Sequence, residues 1–418
     1  MRRCLCLVAA GLLLTQAVSL RPLSAAEPSS GAAAASPNAA VIYWQAFAAM
    51  PTLEGEQKTK YEAAIKTTTE PVTDDLRPIV ARFDTALREL HRARAVTACD
   101  WNLDDDAGPE LLLPHLQKAR DLSRAALLRA RLRFAAGAVD EAVADVVAVL
   151  KMARDCGVSP VLISLLVDIA MENMATEVLA ANLPKLTPQQ LDGLAAAWKT
   201  LPTTPLMADC VQLEGRLFGD WIERLLNTEA AKVNDPQAGG QVLEAMFKRL
   251  QTDGSSTDAN DAEAAQRRKL LESATVADVR ESLRLLRADY AELTKIAALP
   301  LAERRDRWAE FDAKLAASRK STQREDALRA LSHLCLPAIA AVAGREDQLQ
   351  VRRQLLLLAI QVQRHGPDAV RTATVPGHGP VEYHKTDAGF ELRCQPASAD
   401  KPDVLQVGIP LSAMRAQE

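Results

Sequence analysis

From His115 to Gly157 an apolar residue recurs every three or four positions, the pattern stops once at Gly137, and it then resumes. Leu116, Ala119, Leu122, Ala126 and Ala130 mark one helical face, and Lys118, Arg120, Asp121, Arg124 and Arg131 fall on the polar side. Asp140 and Glu141 open the second segment, Ala142, Val146, Leu150 and Ala153 line its inner face, and Lys151 and Arg154 sit in its last turn, where cations complement the helix dipole. Two helices with alanine-rich contact faces, joined at a glycine, predict a closely packed antiparallel hairpin. A strand cannot bury a stripe of this period, so the pattern commits this part of the chain to α-structure.

The same reasoning extends along the chain. Val41, Trp44 and Ala48 recur at helical spacing, with Asn38 as N-cap and Pro51 as the stop. A second helix is expected over Asp75–Ala98. Ser159-Pro160, Thr187-Pro188 with Gln190 in the capping-box position, Thr204-Pro205, and Thr275 with Asp278 are four further helix starts. The polar segment QTDGSSTDANDA, 251–262, reads as a loop and domain boundary. Beyond it, Val276, Val279, Leu283, Leu286, Tyr290, Leu293 and Ala297 form a seam that needs a partner, and Trp308, Phe311 and Leu315 predict one in a second antiparallel hairpin. The tail changes period. Val381 and Tyr383, then Phe390, Leu392 and Cys394, alternate at period two around Thr386–Gly389, and a third short strand is expected near Val404–Val407.

Aromatic residues make up only 4% of the chain, which disfavours a sandwich or barrel and favours a mainly α fold of antiparallel helical hairpins, as a bundle or irregular α-solenoid, ending in a small C-terminal β-hairpin or three-stranded sheet. Arg2 and Arg3, a 14-residue apolar run from Leu5 to Val18, and Ser24-Ala25-Ala26 have the order of a secretory signal peptide. The run is shorter than the ~20 residues that span a bilayer, so no transmembrane segment is expected after cleavage. Cleavage at Ala26 removes three arginines and no acid, moving the formal net charge from −4 to about −7, which speaks against nucleic acid as a partner. The expected location is periplasmic or extracellular. Cys99, Cys156, Cys210, Cys335 and Cys394 would remain, too widely spaced for a CxxC site. The resulting plan is a signal peptide over 1–26, a flexible leader over 27–37, and an N-terminal helical domain over 38–250 that contains the 115–157 hairpin. The 251–262 loop, C-terminal helical hairpins over 263–365 and a β tail over 366–418 complete it.

The stretch ALLRARLRFAAGAVDEAVADVVAVLKMA resembles one tetratricopeptide-type repeat, with no second copy at the ~34-residue period such arrays require. WQAF, the CDW of Cys99–Trp101, LLPHLQKARDLSRAALLRARLRF and PVLISLLVDIA are similar to a family of uncharacterised exported helical proteins of planctomycete-type bacteria, over most of 38–365. The tail GPVEYHKTDAGFELR resembles the hairpin that ends many such proteins and, loosely, the C-terminal region of type II secretion pseudopilins. These resemblances imply an exported helical fold and bring no established activity or catalytic residue.

Among chemical constellations, Asp100, Asn102, Asp104 and Asp106 have the spacing of oxygen ligands in an EF-hand-type calcium loop. Position six is Asp105 where the turn needs glycine, and position twelve is Leu111, with Glu110 one place early, so an interhelical loop with Trp101 buried is the preferred reading. His378, His384 and Cys394 lack the close pairing of zinc ligands, and strand alternation turns His384 away from the Tyr383 face. His333 and Cys335, two apart on a helix, point to different sides. His91 and His115 have no recognisable partner in the sequence. The arginines of RARLRF and of Arg304–Arg307 read as solvated helical charge faces. No HExxH, GxSxG, GxxxxGK[ST] or GxGxxG pattern occurs.

No catalytic, cofactor-binding or metal-binding residue is therefore assigned and no cofactor is implied. The reading leans away from an enzyme. The expected function is a non-enzymatic exported scaffold or protein-interaction module of the cell envelope, with other envelope proteins as partners. The alternatives are an exported hydrolase or lyase using carboxylates in a helical cleft, and an envelope-assembly or secretion-related component.

Overall fold

The computed structural model describes residues 37–68, 70–104, 107–108, 111–203, 206–250, 272–321, 323–336, 339–396 and 401–408. The expected export signal, the expected leader up to Ser36, the expected 251–262 loop, the expected Thr204-Pro205 helix start and Asp105, Asp106 and Glu110 lie outside these residues. Among the described residues the fold is mainly helical, with fifteen α-helices followed by a three-stranded antiparallel sheet.

Helix α1 (Ala39–Ala48) starts where Asn38 accepts a hydrogen bond from the amide of Ala40, 3.0 Å. Its apolar stripe is turned around, because the helix is apolar on every side. Ala39, Ala40, Tyr43, Ala46 and Phe47 are buried, whereas Val41 and Trp44 stay 56% and 42% exposed. The inner face wins because its alanines allow close approach to α4 and because Tyr43 finds a buried acceptor in Asp155 at 2.6 Å. Helix α2 (Gly55–Ala64) has no apolar stripe and buries none of its residues. The helix expected over Asp75–Ala98 is instead broken. A 3₁₀ turn at Asp74–Leu76 leads into α3 (Arg77–Ala81), and α4 (Asp84–Arg94) follows after Phe83 has turned into the core.

Helices α5 (Pro114–Ala135) and α6 (Val139–Cys156) form the alanine-lined hairpin, with Gly137 between them at φ +78°. Helix α7 (Leu162–Asn182) packs on both. Helix α8 (Pro188–Lys199) begins at a reciprocal capping box, in which Thr187 Oγ1 accepts from the Gln190 amide and Gln190 Oε1 accepts from the Thr187 amide. Helices α9 (Met207–Val233) and α10 (Gly239–Leu250) follow, then α11 (Val276–Ala297), opened by the same device from Thr275 and Asp278.

The α11 seam is buried, but its main neighbour is α9 and not the helix after it. Gly215 and Gly219, one turn apart on α9, explain the choice. A Cβ at 215 would lie 2.8 Å from Tyr290 Cβ, so glycine is needed there for this approach, while one at 219 would lie 2.9 Å from Arg287 Nε and would push that flexible side chain aside. Helix α12 (Leu301–Lys320) still adds Trp308, Phe311 and Leu315 to the same core. Two short helices, α13 (Arg324–Ala327) and α14 (Ala330–Cys335), lead into the long α15 (Ile339–His365).

Strands β1 (His378–Thr386), β2 (Gly389–Pro396) and β3 (Asp403–Val407) pair in that order, with Val381 opposite Cys394, Tyr383 opposite Leu392, and Asp387-Ala388 as the turn. Their inner face joins one large apolar core with α1, α4, α5, α6, α8 and the C-terminal parts of α7 and α15. A second core gathers α9 to α12, the first turns of α7 and the first half of α15. Helices α7 and α15 thus belong to both.

Candidate binding cleft

A half-open cleft of about 950 Å³ lies over the first core. Its apolar floor comes from Phe47 at the end of α1, Met50 and Leu53 in the following loop, Tyr61 on α2, Phe83 before α4, and Met174 on α7. Tyr61 stacks on Phe83 at 5.3 Å. Burial, with Asp121 adding to it, pushes the Tyr61 phenol above its ordinary value, so it is neutral throughout the working range. Lys58, Lys66, Lys118 and Arg124, with Glu62, Glu70, Asp121 and Glu177, rim the opening.

One wall of this cleft has an unusual support. Helix α2 has no fully buried residue and reaches the core only through the partly buried Tyr61 and Ala64, and its surface is tied together by Lys60–Glu56 and Lys58–Glu62 pairs. The chain after it is held from below by Arg131, a buried residue of α5. Its guanidinium donates to the carbonyls of Ala64 and Thr67, both 2.8 Å, and of Glu70, 2.6 Å. Placing a cation on the final carbonyls of α2 satisfies acceptors that the helix leaves open and matches the negative end of its dipole. Burial lowers the Arg131 pKa, and the Glu70 carboxylate partly offsets that effect. On the other side Arg82 donates to Thr52 O and Gln57, holding the loop before α2.

A second, smaller recess of about 380 Å³ lies between Trp44, Trp101 and the 102–115 segment. Trp101 is buried there, stacked on His115 at 4.2 Å, and its Nε1 donates to Asp155 O at 2.8 Å. Burial lowers the His115 pKa to about 4, so the ring is neutral.

The charged groups expected on solvated faces are largely internal. Arg129 and Arg133, one helical turn apart, grip the buried carboxylate of Asp145, with His91 Nε2 as a third partner at 2.7 Å. Burial alone would raise that carboxyl. The hydrogen bonds from His91 and Arg129, with the Arg129 and Arg133 charges, hold it below the ordinary carboxylate range. Arg304 is likewise buried, pairing with Glu346 and Asp347 and donating to Ala297 O. Arg129, Arg131, Arg133 and Arg304 are therefore anchors with a buried acid or a carbonyl opposite them, whereas Arg307 pairs with the exposed Glu310 and remains on a solvated face.

Where the two cores meet on α7, Glu172 takes Arg154 at 2.8 Å on one oxygen and Arg353 at 2.7 Å on the other. One turn before it, burial and the Glu172 charge push the Asp168 carboxyl well above its ordinary value. On α6, Asp155 accepts from Tyr43 and Lys151, while burial raises its pKa. These pairs have the residue types of an acid–base site, but they are packed between helices and do not line the cleft.

The candidates singled out by sequence are dispersed. Asp100 spends its Oδ1 on the Asn102 amide and its own amide on Asn38, which staples the loop to the start of α1. His378, the first residue of β1, pairs with Asp403, while His384 pairs with Glu382, and Cys394 faces Val381. His333 bonds Ser318, and burial pushes the Cys335 thiol up to about 12. Among the described residues no group of three His, Cys, Asp or Glu side chains is placed to hold a metal ion, and no helix is long and apolar enough to cross a membrane. The cleft itself was not foreseen, since its walls come from five separate segments between Phe47 and Glu177. Comparison with protein-family models, with curated proteins and with solved structures finds no match.

Proposed function

We propose that this chain is an exported, non-enzymatic interaction module of the cell envelope, and that the cleft between α2, α5 and α7 receives a segment of a partner polypeptide. The observation that carries this reading is the cleft's construction. An apolar, aromatic and methionine floor under a rim of both charge signs offers anchoring pockets for side chains and hydrogen-bonding groups around them. Its volume is near the upper end of the ~300–1,000 Å³ common for small-molecule pockets, and it is open enough to admit a chain passing through. The acid–base pairs of the interior, by contrast, serve the packing of α6, α7 and α15. Export is supported by Arg2, Arg3, the apolar run and the small residues before Glu27.

The test is selection of displayed peptides on the purified chain and on a Met174→Trp variant that fills the cleft floor. The expected result is an enriched motif that binds wild type saturably, loses binding in the variant, and is recovered uncut by mass spectrometry. Absence of any enriched motif, unchanged binding to the variant, or cleavage of bound peptides would each overturn the reading.

A further inference from the structure

A charge inventory of the same cleft points to the chemistry of its ligand, and rests on the polypeptide reading above. Lys58 is matched by Glu62. Asp121 accepts from Arg124 at 3.2 Å and from Gln117 at 2.9 Å. Glu177 accepts from Thr68 at 2.5 Å and pairs with Arg352 at 3.4 Å. The Glu70 carboxylate offsets the buried charge of Arg131. Two cations are left over, Lys66 from the turn after α2 and Lys118 from the first turns of α5. Both are exposed, both line the cleft, and among the described residues neither has an acidic partner.

We infer that the cleft selects an acidic segment, in which an aliphatic or aromatic side chain settles on the Phe47–Tyr61–Met174 floor while a neighbouring Asp or Glu carboxylate is met by Lys66 and Lys118. Complementarity of this kind sets specificity more than total affinity. Asp121, Glu177 and Glu62 are engaged by neighbouring side chains and so do not cancel the two lysines. A basic segment would meet two like charges, and at Asp121 and Glu177 it would compete with Arg124 and Arg352.

The probes are two fluorescein-labelled peptides that differ only in acid against amide, Leu-Phe-Asp-Leu-Glu and Leu-Phe-Asn-Leu-Gln, with laurate as a non-peptide anion. Anisotropy titrations of the full chain are expected to show the acidic twin binding about tenfold more tightly, the factor that two partly screened charge pairs supply. That preference should shrink as NaCl rises. In Lys66→Gln/Lys118→Gln it should vanish while the amide twin keeps its affinity and the thermal transition stays in place, since both lysines are exposed. Lys66→Glu/Lys118→Glu should turn the preference toward a Lys-bearing twin. Equal binding of both twins, abolished by Met174→Trp, would overturn the charge selection and leave the polypeptide reading standing. Binding of neither twin, with laurate held in the cleft, would overturn both.

Discussion

Raising the pH should weaken this fold, and Glu214 gives the effect a size. Its side chain lies on α9, half-buried, with Oε1 accepting from the Leu162 amide at the start of α7 at 2.9 Å. Burial raises its pKa from 4.5 to about 7, and the single backbone hydrogen bond only partly opposes this. The folded state therefore keeps a proton that the unfolded chain loses. Below pH 4.5 both states are protonated and the group's contribution is fully present. Between pH 4.5 and 7 the unfolded state ionises alone and stability falls, and above pH 7 the loss is complete. A shift of this size corresponds to about 3.4 kcal/mol, of which about 2.5 kcal/mol falls between pH 5 and pH 8.5. Asp155, Glu346 and Asp347 are also raised and slope the same way, while Asp145 is held low and changes only under more acidic conditions. Glu214→Gln isolates the one term, because the amide oxygen still accepts from Leu162 but cannot ionise. Urea unfolding at pH 5 and pH 8.5, followed by tryptophan fluorescence, should show the variant losing about 2.5 kcal/mol less than wild type across the interval. Parallel pH slopes for the two proteins would refute the assignment of a raised Glu214.

Asp145→Asn should cost about 3–5 kcal/mol in the same assay, since it leaves Arg129 and Arg133 facing each other without their buried counter-charge. A loss under 1 kcal/mol would mean that Asp145 is not the anchor described. Gly193→Ala on α8, where a Cβ meets nothing within 4 Å, should stabilise by roughly 0.5–1 kcal/mol through helix propensity. Gly215→Ala should destabilise, by about 1–3 kcal/mol, as its Cβ meets Tyr290. Opposite signs in thermal melts check the pair. Amides of α2 should exchange with deuterium faster than those of α5, and Arg131→Met should raise the exchange of residues 64–70 further while costing about 2 kcal/mol, the scale of a hydrogen bond to a charged group.

The mainly helical fold and terminal sheet were legible because period and punctuation agree: the 115–157 stripes with Gly137, the boxes at Thr187 and Thr275, and the alternation around Asp387-Ala388. Two elements of the cleft were not. Helix α1 is apolar all round, so spacing finds the helix and cannot say which face turns inward. In α2, GEQKTKYEAA has no stripe at all, and its wall is held by an arginine 67 residues from Ala64 that bonds carbonyls, which every residue possesses. The buried ion network did leave a readable trace. Asp145 falls on the inner stripe with Ala142 and Val146, and Asp168 and Glu172 stand one turn apart in α7, LISLLVDIAMENMATEVLAAN, a largely apolar helix. An ionised acid in such a position is costly to bury unless a cation comes to it. The requirement runs from acid to arginine: Asp145 calls for cations on the facing helix at hairpin distance, where Arg129 and Arg133 lie, and Glu172 calls for Arg154 and Arg353. By that requirement the arginines of RARLRF divide on sequence alone: two answer Asp145, and Arg131, between them and on another face, is left to support something else. In the fold that something is the wall of the cleft.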